Sequence, residues 1–448
     1  MVAILPGSAE QTILLARADA ADPGDLDAAV RAGAFDGLRR AVRELGPQGV
    51  IAAIRAAGLR GRGGAGFPTG EKWAACAVAL ADRRYVVANG YGADPAVLTD
   101  RTLLERDPYA VLEGLALAAF AVDAHEAIVA VRAEADLAVR TLERAVLEAE
   151  AAGLLGADVL GSGFELTVTI RPVQGAYLLG EETVLLKALE GKRGQPEQRP
   201  PYPAEKGLFG RPTVVQNVQT LAAAAWIVAN GAGRFAALGS KASPGTTLIQ
   251  LSGSLAAPGI AEIPLGMSLG DVLALGGGVP DGHRLKALLV GGPSGGLLPP
   301  ELLDTPYEYD ALRAVGAHVG SGSILVADER ACVVDLGKLL TRFCADEACG
   351  KTIPCRIGTR RLAEIGERLA NGTSRQNDLQ LLDDLGHDVV ESALCDHERL
   401  TTLPLASALR YFRAEVDDHL LRSTCPAGVC HPTVVAAAMP AQRGVLLS

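Results

Sequence analysis

Residues 61–73 read Gly-Arg-Gly-Gly-Ala-Gly-Phe-Pro-Thr-Gly-Glu-Lys-Trp, and no other stretch limits the fold of this chain as much. Five glycines in thirteen residues suit neither helix nor strand, because each costs backbone entropy and offers no side chain to pack. They suit a main chain that approaches something closely. Without Cβ atoms, consecutive N–H groups can face phosphate oxygens or lie against a flat ring. Lys72 adds a positive charge at the end of the run. The agreement of Gly61-x-Gly63-x-x-Gly66 with the dinucleotide fingerprint is formal only, since that fingerprint follows a strand. Here Leu26, Val30, Phe35, Leu38, Val42, Leu45, Val50 and Ile54 recur at helical spacing before it.

A length of 448 residues predicts about three domains. With 49% hydrophobic and 21% charged residues the chain is globular, and its net charge of -10 opposes a nucleic-acid partner, which needs a basic face. Residues 1–20 lack a basic segment followed by an apolar run, so no secretory leader is expected. The longest apolar stretches, at 115–122 and 221–229, are shorter than the roughly 20 residues that span a bilayer, so no membrane insertion and a cytoplasmic location are expected. Seven of the eight cysteines lie between Cys332 and Cys430, a clustering that favours metal binding over a disulfide framework.

A strand at 85–88 ending in Asn89-Gly-Tyr-Gly92, a helix at 109–122, a strand at 127–131, a helix at 135–152 and a strand at 164–173 alternate along the chain. That alternation predicts an α/β sandwich with a ligand at a strand's carboxyl end. Residues 213–229 read as a helix. Strands at 247–252, 259–263 and 287–290 predict a small β-rich unit, and beyond residue 327 the pattern is helical almost to the end.

Residues 58–73 resemble the flavin-binding loop of the NADH-binding flavoprotein subunits of respiratory complex I, a family that includes the diaphorase subunits of NAD-reducing hydrogenases and formate dehydrogenases. Residues 175–183, 207–220 and 349–356 resemble three further motifs of that family in the right order. The resemblance implies an FMN-binding α/β domain over 1–242, with NADH a candidate second ligand there, a ubiquitin-like β-grasp (SLBB) domain over 243–328, a helical iron–sulfur domain over 329–422 and a tail over 423–448. It implies that FMN accepts hydride from NAD(P)H and passes single electrons to a cluster. Gly61, Arg62, Gly63, Gly64, Ala65, Gly66, Phe67, Lys72, Asn89, Tyr177, Gly180, Phe209, Asn217 and Thr220 would bind the cofactors, with Glu181 and Glu182 both binding and catalytic. Cys349, Cys355 and Cys395 would hold the metal. A small thioredoxin-like [2Fe-2S] subunit and a larger catalytic subunit are the implied partners.

The chain departs from the family in three places. Thr352 stands where the cluster loop's middle cysteine belongs, and a hydroxyl is a poor ligand for iron–sulfur chemistry. Three outcomes follow: a three-iron cluster on three thiolates, a four-iron cluster with another ligand such as water or Cys344, or no cluster. Tyr91 and Gly92 replace two carboxylates near the nicotinamide, and Ala75 replaces an aromatic residue that stacks on adenine. These changes predict retained FMN with NADH use weakened, altered or replaced by another donor, and the alternative is a divergent paralogue acting as scaffold or electron wire. Phe67 and Phe209 remain for stacking. Lys192, Arg193 and Arg199 read as a solvated basic surface or a partner contact, and His397 as a surface residue more than a cluster substitute. Cys425, Cys430 and His431 are a candidate zinc set without an identifiable fourth ligand, their bland alternative being an exposed pair of cysteines.

Overall fold

The fold was obtained as a computed structural model and describes residues 3–6, 12–18 and 22–430. Helix α1 (Gly46–Ala56) leads into the glycine run, and α2 (Thr69–Val78) leaves it. Strand β1 (Tyr85–Gly90) is buried on both faces, as strands inside parallel sheets are. The Asp107 carboxylate then accepts from Ala110 N and Pro108 occupies the first turn, which starts α3 (Pro108–Val122). This helix is apolar on every face except for Glu113, and all but Phe120 of it is buried. Strand β2 (Glu126–Arg132), helix α4 (Asp136–Ala151), strand β3 (Thr167–Val173) and helix α5 (Glu182–Leu189) follow.

Residues 213–229 are not one helix. Thr213–Asn217 is strand β4, and α6 (Val218–Asn230) starts where Asn217 caps it by accepting from Gln219 N. The β-branched Thr-Val-Val run is buried beside β1, and no glycine or proline marks the change of period. A Cβ on Gly114 would stand 2.0 Å from Leu221 O, so glycine there lets α3 and α6 touch backbone to backbone.

The first sheet is parallel, in the order β3-β2-β1-β4. The chain lays β1, β2 and β3 down in one direction and then returns to place β4 on the other side of β1. The carboxyl ends of β1 and β4 therefore form a topological switch point, with Asn89 directly opposite Asn217.

The second sheet is mixed, in the order β6-β5-β9-β7-β8, from β5 (Thr246–Gly253), β6 (Gly259–Pro264), β7 (Leu285–Val290), β8 (Gly296–Leu298) and β9 (Ser323–Asp328). A helical segment follows, with α7 (Val333–Asp346), α8 (Thr359–Ala370), α9 (Asp378–Glu391), α10 (Leu403–Tyr411) and α11 (Arg413–Arg422). Leu362, Ile365 and Leu369 of α8 pack with Val334, Leu382 and Leu405 in its core. Among the described residues no helix is long and apolar enough to cross a membrane.

Candidate functional site

The glycine run closes into a loop through Gly61 N to Phe67 O at 2.8 Å and Thr69 N to Leu59 O at 2.9 Å. It lies over the switch point, where a Cβ on Gly63 would stand 3.4 Å from Asn217 Cβ. Gly63, Ala65 and Phe67 face outward, and Phe67 is 54% exposed. Arg62 turns inward: its amide donates to Thr220 Oγ1 at 2.8 Å, and its guanidinium donates to the carbonyls of Arg60, Pro244 and Thr246. Arg62 and Thr220 thus shape the loop from behind. Gly66 has φ +68°, and a Cβ there would meet the Tyr309 ring at 2.6 Å. Tyr309 also donates its hydroxyl to Gly61 O at 2.9 Å. The second sheet's connections therefore press on the back of the loop, at Gly66 and at Gly64, where a Cβ would stand 3.1 Å from Gly320 O, while Gly63 and Ala65 offer main chain at the front.

Asn89 Nδ2 donates to Gly180 O at 2.9 Å, and Asn217 Nδ2 donates to Asp100 Oδ2 at 2.6 Å. Asp100, which nothing in the sequence marked, thereby fixes the end of β4. Lys72 Nζ lies 2.9 Å from Glu182 Oε2 and 3.2 Å from Val215 O. Glu181 caps α5, accepting from the amides of Thr183 and Val184. Burial pushes its carboxyl up, against hydrogen bonding from Thr183 and the charge of Arg199. Arg199 is not part of a solvated basic loop, because it bonds Glu181 and stands 3.3 Å from Glu182 Oε1. Phe209, 59% exposed, meets Tyr85 edge-on at 5.9 Å, and Ala75 is exposed on α2. Tyr91 is only 1% exposed: Arg132 lies 4.4 Å over its ring, and its hydroxyl donates to Gly175 O.

This crevice fits a flavin phosphate and ring. It sits at the carboxyl ends of parallel strands, its rim carries no side chain larger than a methyl from Gly63 to Ala65, and Lys72 borders it.

A second cavity is lined by Cys349, Cys355 and Cys395 with Thr352, Lys351, Pro196, Leu178, His397 and Glu398. Cys349 and Cys355 come from the connection between α7 and α8, Cys395 from the connection after α9. Burial above all pushes the Cys355 and Cys395 thiols up to about 12, and the charges of Glu398 on both and Glu181 on Cys395 act the same way. Thr352 Oγ1 donates to Glu398 Oε1 at 2.7 Å, and Leu394 N donates to Glu398 Oε2 at 2.8 Å. Three thiols from two loops line one cavity, soft donors of the kind an iron–sulfur cluster takes and one short of the four that hold a four-iron cluster. His397 is buried rather than a surface residue; its Nε2 donates to Cys344 O at 2.9 Å and its Nδ1 has no partner among the described residues. Tyr177 stands on this side, its ring 5.4 Å from Phe343 and 5.7 Å from His397. Cys349 and Cys395 pack in one apolar cluster with Tyr91, Leu178 and Leu179, so crevice and cavity share a core.

Cys425 and Cys430 are not an exposed pair. Cys332, His419, Cys425 and Cys430 bring one ligand atom each to within 4.8 Å of one another. Cys332 Sγ lies 3.4 Å from His419 Nε2 and 3.7 Å from Cys430 Sγ. Sulfurs about 2.3 Å from a tetrahedral zinc stand roughly 3.8 Å apart, so the set fits one ion. His419 Nδ1 donates to Glu415 O at 2.8 Å, which leaves Nε2 free to ligate. Burial pushes the Cys425 thiol up, but the amides of Cys430 and Val429 bring it down to about 7. His431 lies outside the described residues.

A glycine-loop crevice at the switch point of a parallel sheet, backed by a cavity of three cysteines, defines a flavin- and cluster-binding oxidoreductase component. Residues 54–226 match the family described as Nuo51 FMN-binding domain, and residues 335–419 match the NADH-ubiquinone oxidoreductase-F iron-sulfur binding region. The chain is 39% identical over 422 residues to NADP-reducing hydrogenase subunit HndC of Solidesulfovibrio fructosivorans, covering 94% of this chain and 86% of that one. It is 40% identical over 401 residues to the F subunit of NADH-quinone oxidoreductase from Streptomyces coelicolor, covering 90% and 89%. A chain of an NAD+-reducing [NiFe]-hydrogenase in the H2-reduced state superimposes with TM-score 0.81 at 34% identity, over 94% of this chain and 68% of that one. The chain belongs to the family of NADH-quinone oxidoreductase F subunits.

Proposed function

We propose that this chain is the flavin- and cluster-bearing electron-transfer subunit of an NAD(P)H-linked redox complex. Hydride arrives at the crevice between β1 and β4, and single electrons leave through the cavity of Cys349, Cys355 and Cys395. The observation that carries this reading is the core common to both sites, in which Tyr91, Leu178 and Leu179 pack with Cys349 and Cys395. When bound, FMN supplies the conversion of a two-electron donation into single-electron transfers, and a cluster holds one electron at a time.

In this reading Gly61, Gly63, Gly64, Ala65 and Gly66 present main chain to the flavin, Asn89, Gly180 and Asn217 define its floor, and Lys72 balances negative charge. Glu181 and Glu182 serve as cofactor-binding and catalytic carboxylates, while Phe67 and Phe209 offer their exposed rings to adenine. Residues 1–242, 243–328 and 329–422 are read as three domains, the mixed sheet being a ubiquitin-like β-grasp of the SLBB kind. Cys332, His419, Cys425 and Cys430 are read as a zinc site. A small thioredoxin-like [2Fe-2S] subunit and a larger catalytic subunit would accept the electrons in the cytoplasm.

Tyr91 favours a second reading, an electron wire that has lost NADH oxidation, because a buried ring and hydroxyl occupy the place of the family's carboxylate. Visible absorbance and EPR of anaerobically purified protein, before and after NADH, separate the two. Flavin bands that bleach with a reduced-cluster signal support the first reading. Flavin that ignores NADH leaves the second, and a colourless protein overturns both.

A further inference from the structure

The cluster cavity holds an ionisable side chain that its three thiols do not account for. Glu398 is 1% exposed, and its carboxylate is held by the Thr352 hydroxyl and the Leu394 amide, neither of them a cation. A carboxylate so buried needs partners for its oxygens, and Lys351, the lysine that lines the same cavity, donates instead to Pro196 O. Glu398 lines the same cavity as Cys349, Cys355 and Cys395. Thr352 occupies the position between Cys349 and Cys355 where a fourth thiolate is missing, and at 2.7 Å from its hydroxyl the Glu398 oxygen stands beside that missing donor.

We propose that Glu398 is the fourth protein ligand of a four-iron cluster held otherwise by Cys349, Cys355 and Cys395, with Thr352 as the positioning residue that aims the carboxylate. The proposal rests on the cluster reading given above. One carboxylate and three thiolates carry the same charge as four thiolates, so no further anion is needed. Oxygen is a harder donor than sulfur, which makes the iron at that corner distinct from the other three and easier to lose. Cys344 is a weaker candidate: its thiol contacts Pro293 O at 3.7 Å and does not line the cavity. His397 lines it, but Nε2 is anchored on Cys344 O and the ring lies against Tyr177, whereas Glu398 bonds residue 352 itself.

The test is iron and sulfide content with Mössbauer, EPR and nitrogen hyperfine spectra of the full chain, purified anaerobically, beside E398Q, T352C and T352C/E398Q. Expected for the native chain is a four-iron cluster with one spectroscopically distinct iron and no nitrogen coupling. E398Q should retain its flavin but hold a three-iron cluster. T352C should hold four equivalent irons whether or not Glu398 is present. A distinct iron unchanged in E398Q, a nitrogen coupling, or a three-iron cluster already in the native chain overturns the assignment. Should E398Q fail to fold, T352C/E398Q decides: a uniform four-iron cluster upholds the ligand role, and failure to fold there too makes Glu398 structural. Iron absent from the native chain but present in T352C sinks the proposal and spares the cluster reading, while iron absent from both sinks that reading as well.

Discussion

Single residues set how much of the flavin side and how much of the nucleotide side this chain keeps. Ala75 is exposed on α2, so a larger side chain there meets no core. An aromatic ring stacked on adenine adds about 1 kcal/mol, and Ala75→Phe should therefore lower the KM for NADH roughly fivefold with kcat unchanged. Steady-state NADH oxidation with an artificial acceptor checks this; an unaltered KM would mean that adenine lies elsewhere. Gly66 and Gly92 make a contrasting pair. Both have positive φ, but a Cβ at Gly66 meets the Tyr309 ring at 2.6 Å while one at Gly92 meets nothing within 4 Å. Gly66→Ala should cost about 2–4 kcal/mol and much of the bound flavin, Gly92→Ala only about 1 kcal/mol, as read by denaturant titration and flavin content. Equal losses would argue that only the dihedral matters.

At the scale of elements, local patterns are legible in the sequence and long-range ones are not. The glycine loop, β1 and its Asn89 end, and the Cys349, Cys355 and Cys395 spacing all come from short stretches whose residue types are unusual for any other purpose. Strand β4 reads as helix because Val214, Val215, Val218, Leu221 and Ala222 continue at helical spacing into the apolar run that follows, and only burial beside β1 distinguishes the two periods. Arg199, His397 and Glu398 give a weak signal, polar residues near a motif being usually solvated. Glu398, three residues after Cys395, could be suspected from that spacing alone. Cys332 and His419 give none toward Cys430, since the first is 98 residues away and the set exists only once α7 and α11 are in place. That set predicts that the full chain carries one zinc and that Cys332→Ser removes it. Without the ion α11 loses its tie to the start of α7, and a Tm fall of several degrees should follow chelation. Metal analysis showing no zinc, or chelation without effect on unfolding, would refute the site.

For the whole molecule, stability depends on charges buried between segments far apart in the chain. Glu113 in α3 accepts from Phe35 N at 2.8 Å and Leu38 N at 3.1 Å, tying the amino-terminal helices to the central one. Burial raises its carboxyl to about 7, although those amides and Arg17 pull it down. An acid raised on folding is protonated in the native state over a range where the unfolded chain has released its proton. Its contribution is whole below the unfolded value near 4.5 and is lost as pH rises through 7. At about 1.4 kcal/mol per unit the loss is about 3 kcal/mol. Glu113→Gln should flatten the stability profile across that interval, measured by urea titration at several pH values; parallel profiles would show that Glu113 titrates normally.

The hold of Tyr309 on Gly61 and of Arg60 on Asp310 ties the glycine loop to the second sheet's connection behind it, while its front is the side proposed for the flavin. Whatever orders one side lowers the cost of ordering the other, so the two unions are thermodynamically linked. A flavin-free chain should therefore be clipped faster by protease around residues 305–320 than a loaded one.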